Sequence, residues 1–389
     1  MRWRTDERVL AINPGSTSTK VAVFDGDTLF REGLLPAPET QGGGIWDEFP
    51  ARLQSIRGWL EQEEIALDTL SCVVGRGGLL RPLRGGTYAV NEAMLSDARG
   101  NLQGTHASNL GCALAQALAD AATRMGGPAS NRHQEEGEAK EGVESGGLEP
   151  PGVRDGSIPA FVVDPVSTDE FQPLARFSGL REIPRKSLSH ALSIHALVRE
   201  VCAREGRAVE GSSFVVAHLG GGISVCPVRD GLILDANNAN SGGPFSPSRA
   251  GGLPTQELLQ LAFSGEYSLK ELQTMTLKAG GMVSYVGTDD IREVETRIEI
   301  GDQEAELALD AMAYQIAKEI GAMATVLNGH LDAILLTGGL AGSALLMDKV
   351  KTRVEFLAPV EVLPAVEEMR ALVLGGLRVL RGEEAAELY

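Results

Sequence analysis

Apolar residues in the first thirty positions fall in short runs rather than at helical spacing. Residues 9–13 form one run, a polar loop follows at 14–19, and a second run occupies 21–24. After the turn residues Asp25-Gly26-Asp27 comes a third segment at 28–30. This order predicts two strands, a tight turn and a third strand. The same build recurs far along the chain: 214–217, a loop at Gly220-Gly221-Gly222, 223–227, a turn at Arg229-Asp230-Gly231, and 232–234. Side by side, VLAINPGSTSTKVAVFDGDTLF and VVAHLGGGISVCPVRDGLILD read as two copies of one unit. A duplication implies two similar α/β lobes, with a ligand in the cleft between them.

Between these copies the period changes. Residues 108–124, 189–205 and 305–327 carry apolar positions at helical spacing, and 372–381 reads as a final helix. Residues 160–164 and 333–336 read as buried strands, the second stopping at Gly338-Gly339. The stretch 126–157 is rich in Glu, Gly, Ser and Pro and poor in large apolar residues, so burial cannot offset its ordering entropy. It is expected to be a flexible surface insertion within one lobe rather than a linker, since the flanking elements read as consecutive parts of that lobe. The lobes are expected at 1–190 and 191–389, the final helix being free to return to the first.

Length and composition bound the function. A chain of 389 residues can bury two or three cores. A net charge of −18 argues against a nucleic-acid partner, which needs basic residues to neutralise phosphates. Any anionic substrate must therefore meet locally placed arginine or lysine. No apolar run reaches membrane-spanning length, and the charged first eight residues contain no signal-peptide core. Cys72, Cys112, Cys202 and Cys226 show no C-x-x-C spacing and read as buried thiols in a reducing compartment. A cytoplasmic location and no membrane partner are the expectation.

The loop Asn13-Pro14-Gly15-Ser16-Thr17-Ser18-Thr19-Lys20 concentrates hydroxyls, an amide, a glycine and a lysine. Such a loop can donate N–H and O–H groups to phosphate oxygens while Lys20 supplies charge. It is not a Walker A loop, because that spacing is absent and a strand follows where a helix is required. Alone, it is equally well a Ser/Thr-rich hairpin turn. Two further glycine loops at strand ends, Gly220–Gly222 and Gly338-Gly339, favour a nucleotide held between the lobes.

Ten segments carry a family resemblance: AINPGSTSTK, GRGGLLRPLRGGTY, HASNLG, PAFVVDPVSTDEF, RKSLSHAL, VVAHLGGGIS, GPFSPSRAGGLP, AMAYQIAKEIGAMA, LLTGGLA and LRVLRGEE. In this order they resemble the butyrate kinases and, more distantly, the acetate kinases of the actin-like superfamily. The resemblance implies a duplicated ribonuclease-H-like fold and direct in-line transfer of the ATP γ-phosphoryl group to a carboxylate, assisted by Mg²⁺. Such transfer is mainly positioning and charge stabilisation. Arg76 in GRGG and Arg249 in PSRAGG look like the two arginines that hold the carboxylate and the transferring group, a task suited to a planar fork. Each alternatively reads as a surface ion pair. Asn13 matches the asparagine near the γ-phosphate and metal, with Ser16, Ser18 and Lys20 beside it as phosphate donors. Asp164 matches the aspartate on the carboxylate side, and Glu367 in VEEM matches the glutamate that helps hold Mg²⁺. Glu368 can replace Glu367 in that match, and Glu367 alternatively reads as a first-turn helix charge. His218 matches a histidine near the phosphates; alone, it reads as a structural histidine.

The family's acetate kinases carry HGTSH where this chain has KSLSH, placing Lys186 at the first histidine and His190 at the second. A lysine there is a permanent cation, whereas a histidine of pKa about 6.5 is only partly charged at neutral pH. This substitution resembles the butyrate kinases. The implied activity is phosphorylation of butyrate or a similar short or branched fatty acid, with acetate or propionate as the alternative acceptor. A non-catalytic nucleotide-switch protein and a sugar kinase are the rival classes. The set Asn13, Arg76, Asp164, Arg249 and Glu367 disfavours both. The resemblance also implies a homo-oligomer.

Overall fold

The computed structural model describes residues 7–38, 43–126 and 157–389, so residues 127–156 of the expected insertion lie outside it. The chain forms two compact units, Met1–Thr168 together with Glu367–Tyr389, and Asp169–Val366. The first unit gives way to the second at Thr168, not at residue 190. Phe171 and Ala175 belong to the apolar core under Phe214, Val216 and Leu335, and Arg185 binds Asp235 and the Ala236 carbonyl.

The first unit contains β1 (Arg8–Pro14), β2 (Ser18–Asp25), β3 (Thr28–Pro36), β4 (Cys72–Arg76), β5 (Thr87–Ala89) and β6 (Ala160–Val163). They form one sheet in the order β3-β2-β1-β4-β6-β5. The β1–β2 and β2–β3 pairs are antiparallel, while β4 runs parallel to β1 and β6 parallel to β4. Among the described residues, α1 (Phe49–Gln62), α2 (Glu92–Arg99) and α3 (Gly111–Arg124) accompany it. Alternate residues Leu10, Ile12, Val21, Val23, Val73 and Val162 bury against Ile56, Trp59 and Leu60 of α1 and Leu114 and Leu118 of α3. Each such side chain contributes about 1.5–3 kcal/mol when fully removed from water.

The second unit repeats the plan. Its strands are β7 (Ser213–Leu219), β8 (Ile223–Arg229), β9 (Leu232–Ile233), β10 (Ala333–Thr337) and β11 (Val360–Val362), in the order β11-β10-β7-β8-β9. Again an antiparallel meander is extended by a strand parallel to its first member, β10 beside β7. The shared order and directions bear out the duplication read from the two sequence copies. Helices α4 (Ala191–Arg204), α5 (Thr255–Ala262), α6 (Leu269–Leu277), α7 (Gly281–Val286), α8 (Ile291–Glu299), α9 (Gln303–Val326) and α10 (Ala344–Val354) complete the unit. Phe214 and Val216 face a core shared with α4, and Val215, Ala217 and Leu219 face one shared with α9 and α10.

The last helix, α11 (Glu368–Leu380), lies in the first unit. It begins four residues earlier than its apolar spacing suggests, because its first turn is polar. A Cβ on Gly375 would overlap Val163, and one on Gly376 would overlap Val74. Glycine inside a helix costs about 1 kcal/mol relative to alanine. Here the pair lets α11 lie directly on β4 and β6, which fixes where its N-terminus points.

Candidate functional site

In an open α/β sheet, ligands gather outside the carboxyl ends of the parallel strands. Three sequence-predicted residues stand there in the first unit: Asn13 on β1, Arg76 closing β4, and Asp164 directly after β6. Close packing explains the glycines around Arg76. A Cβ on Gly75 would strike the Gly111 carbonyl, one on Gly77 would strike Pro165, and one on Gly78 would strike Asn109. Buried Asn109 accepts from the Leu79 amide at 2.8 Å, fixing the segment that leaves Arg76.

The first turn of α11 brings a carboxylate to this edge. Glu368 Oε2 accepts from Asn13 Nδ2 at 2.9 Å and pairs with Arg76 Nη1 at 2.6 Å. The helix N-terminus itself favours a negative charge at that position. Glu367 is instead the exposed N-cap residue, and its side chain makes no capping bond. Of the two adjacent glutamates, the structure brings Glu368 to Asn13 and Arg76. Asp164 is buried and takes φ 38°, in the left-handed region. Its Oδ1 accepts from the Gly86 amide at 2.8 Å, and its own amide donates to the Gly86 carbonyl at 3.0 Å.

The expected loop at 14–19 is shorter than its polarity suggests. The antiparallel register continues through Asn13↔Lys20 and Pro14↔Thr19, which leaves residues 15–18 as the turn. Ser16 and Thr17 are exposed at its tip. Lys20 lies on β2 with its ammonium 3.3 Å from Glu32, so its charge is directed at β3. Sequence reasoning missed Arg52 on α1, whose side chain is 1% exposed. It donates to the Gly15 carbonyl at 2.9 Å, the Ser18 carbonyl at 3.3 Å and Thr19 Oγ1 at 2.6 Å, and it pairs with Glu48 at 2.7 Å. An arginine in an otherwise amphipathic helix gives no sequence signal that it is buried.

In the second unit, the turn Gly220–Gly222 joins β7 to β8, and Gly338 follows β10 at the same edge. Gly338 has φ 95°, and a Cβ there would strike the Leu219 backbone, so the two glycine turns touch. Gly339 opens the 3₁₀ turn Gly339–Gly342. Ser246 Oγ donates to the Gly221 carbonyl at 2.6 Å and accepts from the Arg249 amide at 3.2 Å. This places the Arg249 guanidinium across Gly222. Burial lowers the Arg249 pKa from its ordinary value, and among the described residues no carboxylate pairs with it. His218 of β7 stacks on His190 at the start of α4, ring centroids 4.1 Å apart, and His190 Nδ1 lies 2.9 Å from Ser224 Oγ. Lys186 stands exposed in the loop before α4, while its neighbour Arg185 is engaged with Asp235.

In each unit the groups at the sheet edge suit anion chemistry: an arginine, a glycine-bearing turn and hydroxyls. A model of the acetokinase family matches residues 183–365. The probable butyrate kinase 2 of Caldanaerobacter subterraneus subsp. tengcongensis is 43% identical over 385 residues, covering 98% of this chain and 99% of that protein. The probable butyrate kinase of Listeria welshimeri serovar 6b is 44% identical over 385 residues, with the same coverage of 98% and 99%. Among solved structures, the acetate kinase of Porphyromonas gingivalis superposes with a TM-score of 0.73 at 16% identity, covering 96% of this chain and 100% of that one. At that identity it speaks for the fold.

Proposed function

The chain belongs to the acetokinase family, and from that premise we propose that it transfers the ATP γ-phosphoryl group to a short-chain fatty acid, butyrate foremost, giving acyl phosphate and ADP. The observation that carries the reading is Arg249: a half-buried guanidinium beside a glycine turn, with no described carboxylate against it. A half-buried cation without an acid partner is stabilised when an anion arrives.

In the proposed reaction a carboxylate oxygen attacks the γ-phosphorus, the bond to the β,γ-bridging oxygen breaks, and ADP leaves with that electron pair. The acceptor and donor are both anions, so arginines must offset their repulsion. Arg76 carries five N–H donors, of which Glu368 engages one edge, and the remainder suit the acceptor carboxylate. Asp164 is assigned to the acceptor side, where its fixed carboxylate orders the Arg76–Gly86 segment. Arg249, Lys186, His218 and the turns at Gly220–Gly222 and Gly338-Gly339 are assigned to phosphate oxygens, as are Asn13, Ser16 and Ser18; Lys20 would have to leave Glu32 to join them. Transfer is reversible by the same path.

Mg²⁺ fits the donors present. It binds through one or two carboxylates plus substrate phosphates, keeping several waters. Glu368 would supply a carboxylate, and Asn13, which donates to it through Nδ2, keeps its amide oxygen as a second hard donor, with exposed Glu367 adjacent. Once bound, Mg²⁺ neutralises phosphate charge. We also infer a cytoplasmic setting and a homo-oligomeric assembly. All four cysteines are buried and unpaired, and burial pushes the Cys112 thiol up to about 12, as suits a reducing compartment.

A pocket separates acids that differ by one methylene by only about 1–3 kcal/mol. Propionate, valerate and branched C4–C5 acids are therefore expected to react at reduced rates. The test is incubation of the pure protein with Mg-ATP, a panel of fatty acids and hydroxylamine. Hydroxamate formation peaking at four carbons is expected. No hydroxamate with any acid would overturn the reaction.

A further inference from the structure

We propose that Arg52 is a positioning residue for the turn at residues 15–18, holding it in the conformation that presents donors to the ATP phosphates. The proposal rests on the reading above, in which that turn meets phosphate.

The argument begins with a cost. A buried guanidinium is unfavourable unless its donors are all engaged. Arg52 spends every contact beyond Glu48 on the turn: the Gly15 carbonyl, the Ser18 carbonyl and Thr19 Oγ1. These acceptors lie on both arms of the turn, so the planar fork spans it like a brace. The Thr17 carbonyl is held separately by the Ala37 amide at 2.9 Å, and the Gly15 amide donates to Ser18 at 2.7 Å. The carbonyls of Gly15, Thr17 and Ser18 are thus all turned toward the body of the unit.

The peptide group is planar and trans, so its C=O and N–H point in opposite directions. Anchoring the Gly15 carbonyl on Arg52 therefore aims the Ser16 N–H away from the core, beside the exposed Ser16 and Thr17 hydroxyls. The brace acts through geometry more than through charge, because Glu48 neutralises the guanidinium one helical turn away. Lysine at position 52 keeps the charge but cannot span both arms. Thr19→Val removes one acceptor at nearly constant volume and leaves Arg52 in place.

The experiment compares the full-length wild type with Arg52→Lys and Thr19→Val. Mg-ATP affinity is measured by calorimetry, KM for ATP and butyrate by hydroxamate assay, and amide exchange in the peptide covering residues 13–20 by mass spectrometry. Loss of a charge-assisted hydrogen bond predicts Mg-ATP binding weakened about tenfold in Arg52→Lys. Butyrate KM stays unchanged and exchange at 15–19 accelerates. Thr19→Val shifts the same readouts in the same direction, less far. Wild-type Mg-ATP affinity in a folded Arg52→Lys would overturn the proposal. So would equal rises in both KM values that track a fall in Tm. Should Arg52→Lys fail to fold, unchanged affinity and exchange in Thr19→Val would overturn it alone. A wild type that binds Mg-ATP but forms no hydroxamate would overturn the reaction while the binding and exchange arms still decide Arg52.

Discussion

A side-chain carbon on Gly222 would occupy the place of the Arg249 guanidinium, which lies across that glycine within contact distance of its backbone. The obstructing atoms are the far end of a flexible side chain, and the next neighbour, Ala239 Cβ, is at an ordinary 3.4 Å. The fold can therefore accept Gly222→Ala, but Arg249 must move. The expected outcome is a Tm close to wild type with turnover reduced at least about tenfold, the scale of losing one charge-assisted contact to the transferring group. Because the loss acts through Arg249, Gly222→Ala should add little to Arg249→Ala in a double-mutant cycle. Full additivity in that cycle would separate the two residues.

Glu368, rather than Glu367, contacts Asn13 and Arg76. Glu368→Gln removes the charge while keeping an acceptor oxygen. It is expected to lower turnover about 10–100-fold and to raise the Mg²⁺ concentration needed for half-maximal rate. Glu367→Gln, at an exposed N-cap without a capping bond, should change turnover by less than about threefold. Titrating Mg²⁺ against initial rate for both variants checks the assignment. A larger defect in Glu367→Gln would return the metal role to that residue.

These two glutamates show how far the sequence could be read. VEEM announces a carboxylate near the start of the final helix, but which one turns inward depends on the helix phase. Gly375 and Gly376 set that phase by admitting Val163 and Val74, a tertiary contact that no local pattern reveals. The two meanders were legible because β1, β2, β7 and β8 are buried on both faces over most of their length, so each reads as a short continuous apolar run bounded by turn residues. The strand β3 runs six residues past the apolar segment at 28–30, because a mostly exposed strand needs no continuous apolar run and Arg31 and Glu32 interrupt this one before Leu34-Leu35. Arg52 was invisible for the opposite reason: its burial is decided by acceptors 33–37 positions earlier in the chain.

Asp164 combines burial with a left-handed backbone, a conformation that aspartate tolerates better than most residues. Asp164→Asn keeps an acceptor for the Gly86 amide and the αL tolerance but removes the charge. It should therefore unfold near the wild-type midpoint while losing most activity. Asp164→Ala loses the hydrogen bond and is disfavoured at φ 38°, and is expected to cost about 1–3 kcal/mol in urea unfolding. If the asparagine variant were instead as active as wild type, Asp164 would be only a brace for the Gly86 segment.

His106 caps the 3₁₀ turn Ala107–Leu110 that leads into α3. The Ser108 amide donates to its Nδ1 at 3.2 Å, so that nitrogen must be an acceptor and the neutral ring carries its proton on Nε2. Desolvation first, and the nearby Arg76 charge second, hold the imidazole pKa below its ordinary value. Between that lowered value and the unfolded value of about 6.5, the unfolded chain binds more protons than the folded one, so stability rises with pH. The cap's contribution is complete above about pH 6.5 and is lost as the pH falls through that window. Asparagine caps equally well and does not titrate. His106→Asn is therefore expected to match wild type in Tm at pH 7.5 and to exceed it progressively as the pH drops below about 6.5. Thermal unfolding of both proteins over a pH series reads this directly, and parallel curves across the series would exclude His106 as the titrating group.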